Sequence, residues 1–322
     1  MMEYTKKEQR LRFLNPVITN LKSYFEGYFP STEYKFFIFL CGAAVSNPNS
    51  NRKVFEQYLR QNYPKYELFL AEDYFKNVRE ISDLLTIETF LADFADCILI
   101  FLESESAFTE LGAFSGNEKV LKRILVVNNK KYKDAKSFVN LGPISLVEKR
   151  SVYSKIVYSK FGAILENANQ VVMQIEKAYR NRPFVIRFES AKKHLPNICE
   201  YSNKELVNFL IDLLVLLVPI PYNDLILIIE NIFSHEAKKM KIVQGTISLL
   251  QTLQFFTYEN ELLFPGPRVL SRGLNFTYDK RKARRVRAQV LQFYRKNDLN
   301  RMKLYEAYIN SNWGENDKTK VN

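Results

Sequence analysis

The residues best suited to chemistry lie in one run, Ser104-Glu105-Ser106-Ala107-Phe108-Thr109-Glu110-Leu111-Gly112-Ala113-Phe114-Ser115. It follows an apolar stretch, CILIFL (97–102), and a polar turn, so Glu110 is expected in the first turn of a helix. The positive end of the helix dipole favours a carboxylate there and keeps it ionised. An ionised, positioned carboxylate can attack an anomeric carbon or stabilise an oxocarbenium ion, which are the needs of N-glycosidic bond cleavage. A purely structural reading of the same run makes Thr109 or Ser106 an N-cap and Glu110 a dipole-matched residue. Neighbouring acids are equally two-sided. Glu88 is either a site carboxylate or a solvated helix residue, Asp96 suits a strand-entry turn, and Glu72-Asp73 either start a helix or accept ribose hydroxyls.

Composition removes other chemistries. Cys41, Cys97 and Cys199 are far apart with no CxxC pair, which argues against a disulfide framework or a cysteine zinc site. His194 and His235 are isolated, so Ser-His-Asp, Cys-His and multi-histidine metal sites are not expected, and no metal is called for. No Gly-rich P-loop or GxGxxG follows any apolar run. The start MMEYTKKEQRLRF leads into no apolar signal core, and the most apolar segment, 209–220, is too short to span a bilayer. The chain reads as a cytoplasmic protein with no membrane partner.

The elements that must position these residues alternate. Apolar runs at 34–40, 67–70, 97–102 and 123–127 read as buried strands, and 51–62, 81–95 and 108–120 have helical spacing. Strands separated by helices predict a parallel sheet covered on both faces, with ligands at the carboxyl ends of its strands. Those ends carry Cys41–Ala44, Glu72/Asp73 and Glu103–Glu110. Beyond them, 161–179 is an amphipathic helix expected to bridge domains or form an oligomer contact. Helices at 204–217, 222–233 and 240–253, then strands at 255–258 and 262–264, follow in winged-helix order. The third of these helices is apolar, which suits a core more than base readout.

Charge divides the chain. Residues 1–150 carry 21 Lys+Arg against 19 Asp+Glu, whereas 151–322 carry 26 against 16. The densest cluster is Lys280, Arg281, Lys282, Arg284, Arg285, Arg287, Arg295 and Lys296, continuing to Arg301 and Lys303. Tyr278, Phe293, Tyr294 and Tyr305 are interleaved with it. Such a segment suits phosphate oxygens and unpaired bases; a solvated helix face is the plainer reading. The segment after Gly314 is expected to fray.

The run SESAFTELGAF resembles the nucleoside 2-deoxyribosyltransferase family. Five ordered blocks resemble a specialised branch of it, the effectors of type II-A retrons. They are FIFLCGAAVSN (37–47), AEDYF (71–75), LLTIETFLADFAD (84–96), ILIFLESESAFTELGAFSGNE (98–118) and KSFVNLGPISL (136–146). The resemblance implies an α/β fold with a helix-flanked parallel sheet, nucleoside deoxyribosyltransferase-like, followed by a mainly helical winged-helix-like domain. The corresponding division is 1–150 catalytic, 151–200 a bridging segment and 201–322 nucleic-acid binding.

On that resemblance Glu110 takes the place of the nucleophile and Glu88 of an acidic ribose-binding residue. Gly42, Ala43, Asp73, Ser106 and Thr109 line the substrate, and Asn140 resembles an asparagine supplied by a neighbouring subunit. The transferases have a tyrosine in the first strand where this chain has Phe39. The resemblance further implies an effector of anti-phage defence, held by reverse transcriptase and multicopy single-stranded DNA with its RNA, as a homo-oligomer or higher assembly. NAD is then the expected substrate, with no separate cofactor. Deoxynucleosides or their phosphates are the alternative, and a non-enzymatic DNA-binding subunit is a second.

Overall fold

The computed structural model describes residues 2–28, 36–44, 46–77, 83–153, 155–181, 195, 197–233, 237–272 and 279–312. Tyr34, Arg182-Pro183, both histidines, Tyr278 and the tail after Gly314 lie outside them. The chain divides into two compact units, residues 35–184 and residues 1–34 together with 185–322. The N-terminal helix α1 (Met2–Phe25) belongs to the second unit.

In the 35–184 unit the order is β1 (Phe36–Cys41), α2 (Asn51–Asn62), β2 (Tyr66–Phe69), α3 (Ala71–Phe75), α4 (Leu84–Phe94), β3 (Cys97–Phe101), α5 (Glu105–Ser115), α6 (Glu118–Leu121), β4 (Ile124–Asn129), α7 (Ser145–Arg150), β5 (Val157–Ser159) and α8 (Ala168–Arg180). The strands form one parallel sheet in the order β2-β1-β3-β4-β5. Every residue of β1, β2 and β3 is buried, as expected of strands covered on both faces. Phe55 and Leu59 of α2 and Val171, Val172 and Ile175 of α8 join the core beside Ile38, Leu99 and Val127. Asp96 accepts the Phe37 amide at 2.9 Å, so it is a strand-entry residue.

Two expectations change here. Residues 151–184 do not bridge domains: β5 extends the sheet and α8 buries its apolar stripe on it. The helix expected at 108–120 is two helices, because Ser104 caps α5 through the Ala107 amide and Asn117 caps α6.

In the second unit follow α9 (Asn203–Leu217), β6 (Ile220–Pro221), α10 (Tyr222–Ile232), α11 (Ala237–Thr252), β7 (Phe256–Glu259), β8 (Leu262–Pro265), α12 (Pro267–Arg272), α13 (Lys280–Asn297) and α14 (Leu299–Asn312). A Ser202–Glu205 capping box starts α9. The antiparallel sheet has the order β6-β8-β7, with the hairpin turned by Asn260 and Glu261, both at positive φ. Helix–strand–helix–helix–hairpin is the layout of a winged helix. Helix α1 is fixed to this unit by the Arg10 fork on Asp224, at 2.7 and 2.6 Å. Arg301 reaches the same carboxylate at 3.2 Å. Among the described residues no helix is long and apolar enough to cross a membrane.

Candidate active site and nucleic-acid interface

The order β2-β1-β3 places a topological switch point between β1 and β3, because the chain leaves these neighbouring strands toward opposite sides. The loops at that crevice hold Gly42-Ala43 after β1 and Glu103–Ser106 after β3. Glu103 binds the start of α2: it accepts from the Asn51 amide and Asn51 Nδ2, both at 2.7 Å. The Arg52 and Ala43 amides donate to it at 3.0 and 3.3 Å. The helix-dipole logic that the sequence assigned to Glu110 therefore holds for Glu103.

Glu110 is the sixth residue of α5, one turn beyond the expected place, and Ser104 rather than Ser106 or Thr109 is the N-cap. Its carboxyl is pushed up to about 7, first by burial and then by the charges of Glu88 and Glu72, against a hydrogen bond from the Cys41 thiol and the charge of Arg52. The expectation of a carboxylate kept ionised by the helix N-terminus is thus overturned. Its Oε2 is buried with no hydrogen-bond partner among the described residues. Glu88 is raised as well, by burial and by Glu72. Three glutamates from α3, α4 and α5 and the thiol ending β1 therefore form one electrostatically coupled cluster. Phe39, which stands where the similar transferases have tyrosine, stacks on Phe69 at 5.2 Å. The hydrogen bond to Glu110 comes instead from Cys41, two residues on.

The other substrate-side residues divide. Gly42 is buried, and a Cβ there would lie 2.8 Å from Arg52 Cβ and 3.0 Å from Arg52 Cδ. Gly42→Ala is expected to displace Arg52 and to cost roughly 1–3 kcal/mol. Thermal denaturation checks this, and an unchanged melting temperature contradicts the packing. Ala43 is half-buried beside Glu103. Asp73 points outward to Lys76 at 2.8 Å, so the acid that α3 contributes is Glu72, next to it in sequence. Ser106 is exposed and shares a 3.0 Å hydrogen bond with Ser104, while Thr109 is exposed and bonds back to the Glu105 carbonyl. Asn140 donates to the Tyr132 and Ala135 carbonyls at 2.7 and 2.8 Å, which shapes its own loop. Glu72, Arg52, Cys41 and Glu103 were not singled out from sequence; their roles depend on contacts across 20 to 60 residues.

In α13, Lys280, Arg281, Arg284, Arg285, Arg295 and Lys296 are exposed. Lys282 is half-buried and donates to the Tyr24 carbonyl of α1 at 3.1 Å. Arg287 is a correction: it is 6% exposed and cannot meet a polyanion. Its guanidinium donates to the Val215 carbonyl, to Val218 O at 3.0 Å and to Tyr305 Oη at 2.8 Å, closing the carboxyl end of α9. Arg301 is likewise buried, on Asp224. Most of α11 is buried through Val243, Thr246, Ile247, Leu249 and Leu250, with Lys241 exposed.

A family model described as the STM3845 retron effector protein matches residues 48–258. An Escherichia coli protein named "Retron Ec73 putative ribosyltransferase/DNA-binding protein" is 31% identical over 287 residues, covering 84% of this chain and 89% of its own length. Another from Escherichia coli, "Retron Ec86 putative ribosyltransferase/DNA-binding protein", is 36% identical over 127 residues, which is 38% of this chain and 41% of that protein.

Proposed function

Because the chain belongs to the STM3845 family of retron effector proteins, we propose that its 35–184 unit cleaves the N-glycosidic bond of NAD and releases nicotinamide. The observation that carries this reading is the buried, unpartnered Oε2 of Glu110 within a cluster of carboxyls at the sheet's switch point. In its ionised form Glu110 attacks or screens C1′ of the ribose, and Glu88 and Glu72 accept the ribose hydroxyls. As the C1′–N bond breaks, its electron pair neutralises the pyridinium nitrogen, so nicotinamide departs without a general acid. Water then takes the ribosyl group and loses a proton, leaving ADP-ribose. The relatives' ribosyltransferase name supports glycosyl chemistry and leaves deoxynucleosides as the competing substrate.

The second unit acts as the nucleic-acid module. The exposed residues of α13 bind the phosphates of multicopy single-stranded DNA and its RNA, and the effector is held with the reverse transcriptase until released. Replacing Arg284 and Arg285 by Ala together is expected to lower the slope of log K against log salt by about 2, without loss of stability. Fluorescence anisotropy with a single-stranded DNA checks this, and an unchanged slope removes α13 from the interface.

Mass spectrometry of the reaction products tests the activity, on the purified chain and on its complex with reverse transcriptase and nucleic acid. Nicotinamide with ADP-ribose supports the proposal. A free base from deoxynucleosides, with NAD intact, transfers the mechanism to the competing substrate. No glycosidic product from either preparation makes the unit a scaffold.

A further inference from the structure

Arg52 is the second residue of α2, and its side chain is 3% exposed. The turn after β1 closes over it, as the 2.8 Å approach of a Cβ at Gly42 to Arg52 Cβ shows. One nitrogen, Nη1, donates to both oxygens of Glu72, at 3.0 and 3.3 Å. The other two, Nε and Nη2, are buried and have no hydrogen-bond partner among the described residues. Leaving a buried donor unsatisfied costs about 1–3 kcal/mol, so two on one guanidinium call for a reason. The positive charge is felt by Glu110 and Cys41, and it eases the ionisation of both. The guanidinium therefore belongs to the same crevice as the carboxyl cluster.

Nε–H and Nη2–H are the side-on edge of a guanidinium, two parallel donors in one plane, and that fork matches two oxygens of one phosphate. Ribose hydroxyls donate as well as accept, and the acids of the cluster already suit them. A phosphate, in contrast, would be repelled by Glu72, Glu88 and Glu110 unless a cation faced it. We propose that Arg52 anchors the 5′-phosphate of the substrate through Nε and Nη2 while Glu72 holds Nη1. One pentose then spans the site, with C1′ toward Glu110 and its 5′-phosphate on Arg52. This rests on the glycosidic reading of the 35–184 unit and narrows it to nucleotides and dinucleotides over free nucleosides.

The test has a binding arm that needs no turnover. Calorimetry on the full-length chain compares ribose 5-phosphate with ribose, and Arg52→Lys keeps the charge while removing the fork. The parent is expected to prefer ribose 5-phosphate by about 10–100-fold, the worth of a charge-assisted pair of hydrogen bonds. Most of that preference is expected to vanish in Arg52→Lys. Equal binding of both sugars by the parent overturns the proposal, as does a preference that survives in a variant whose circular dichroism matches the parent. If Arg52→Lys does not fold, the parent's own discrimination between the two sugars still decides.

A kinetic arm compares kcat/KM for deoxyadenosine, its 5′-monophosphate and NAD. A higher value for both phosphorylated compounds supports an anchor that accepts monoester and diester alike. A higher value for the monophosphate alone restricts it to the monoester. Equal values for all three overturn it. Phosphate-selective binding without glycosidic products from any compound would sink the activity while upholding the Arg52 site.

Discussion

Glu110→Gln in the full-length chain is expected to lose glycosidic turnover by on the order of 10^4-fold, while folding normally and becoming more stable in alkaline solution. The two effects have one origin. Burial and the neighbouring Glu88 and Glu72 push the Glu110 carboxyl up to about 7 from an ordinary value of 4.5. The folded state thus holds this proton more tightly than the unfolded chain does. Stability lost to its ionisation is absent below the unfolded value, grows between 4.5 and 7, and is fully present above 7. Glutamine carries no such proton. Its melting temperature should therefore match the parent near pH 4.5 and exceed it at pH 8, by up to about 3 kcal/mol in stability. A variant less stable than the parent at pH 8 would make Glu110 a structural residue. Retained turnover would remove it from the mechanism.

Arg287→Ala is expected to cost about 3–5 kcal/mol of folding stability, a larger loss than either exposed neighbour would cause. Truncation strips a donor from the Val215 and Val218 carbonyls and from Tyr305 at once. These carbonyls end α9, where a helix leaves its last acceptors unmatched and a cation is favoured. Tyr294, one face along on α13, serves the Leu217 carbonyl at 3.1 Å and so shares the task. Arg284→Ala and Arg285→Ala remove only solvated groups and should stay within about 0.5 kcal/mol. Urea denaturation of the three variants separates them. Equal losses for Arg285→Ala and Arg287→Ala would contradict the assigned division between a buried tie and an exposed phosphate face.

The sheet was legible because parallel strands buried on both faces leave continuous apolar runs, as in FFIFLC and CILIF. β5 has three residues and no such run, so only its pairing with β4 reveals it. The stripe of α8 announced a buried face but not its partner, and the sheet proved to be that partner. For α1, length along the chain was misleading: Leu14, Val17 and Leu21 are buried, and Arg10 finds its partner at Asp224. The site was partly legible. The TELG run marked Glu110, yet its ionisation depends on Glu88 and Glu72, which pattern alone could not orient. Choosing Asp73 over its neighbour Glu72 failed because Arg52, twenty residues earlier, decides which acid turns inward. One signal for Arg287 was present in the sequence. It falls in the stripe Ala283, Val286, Val290, Tyr294, the buried face of α13.

The account turns on a carboxyl that must lose its proton to act, and the pH dependence of kcat/KM for NAD tests this most directly. The rate should rise with pH through a single ionisation near 7, and Glu88→Gln should move that limb to lower pH by removing a like charge from Glu110. A limb near the ordinary carboxylate value of 4.5, a rate that falls as pH rises through 7, or a limb unmoved by Glu88→Gln would contradict it.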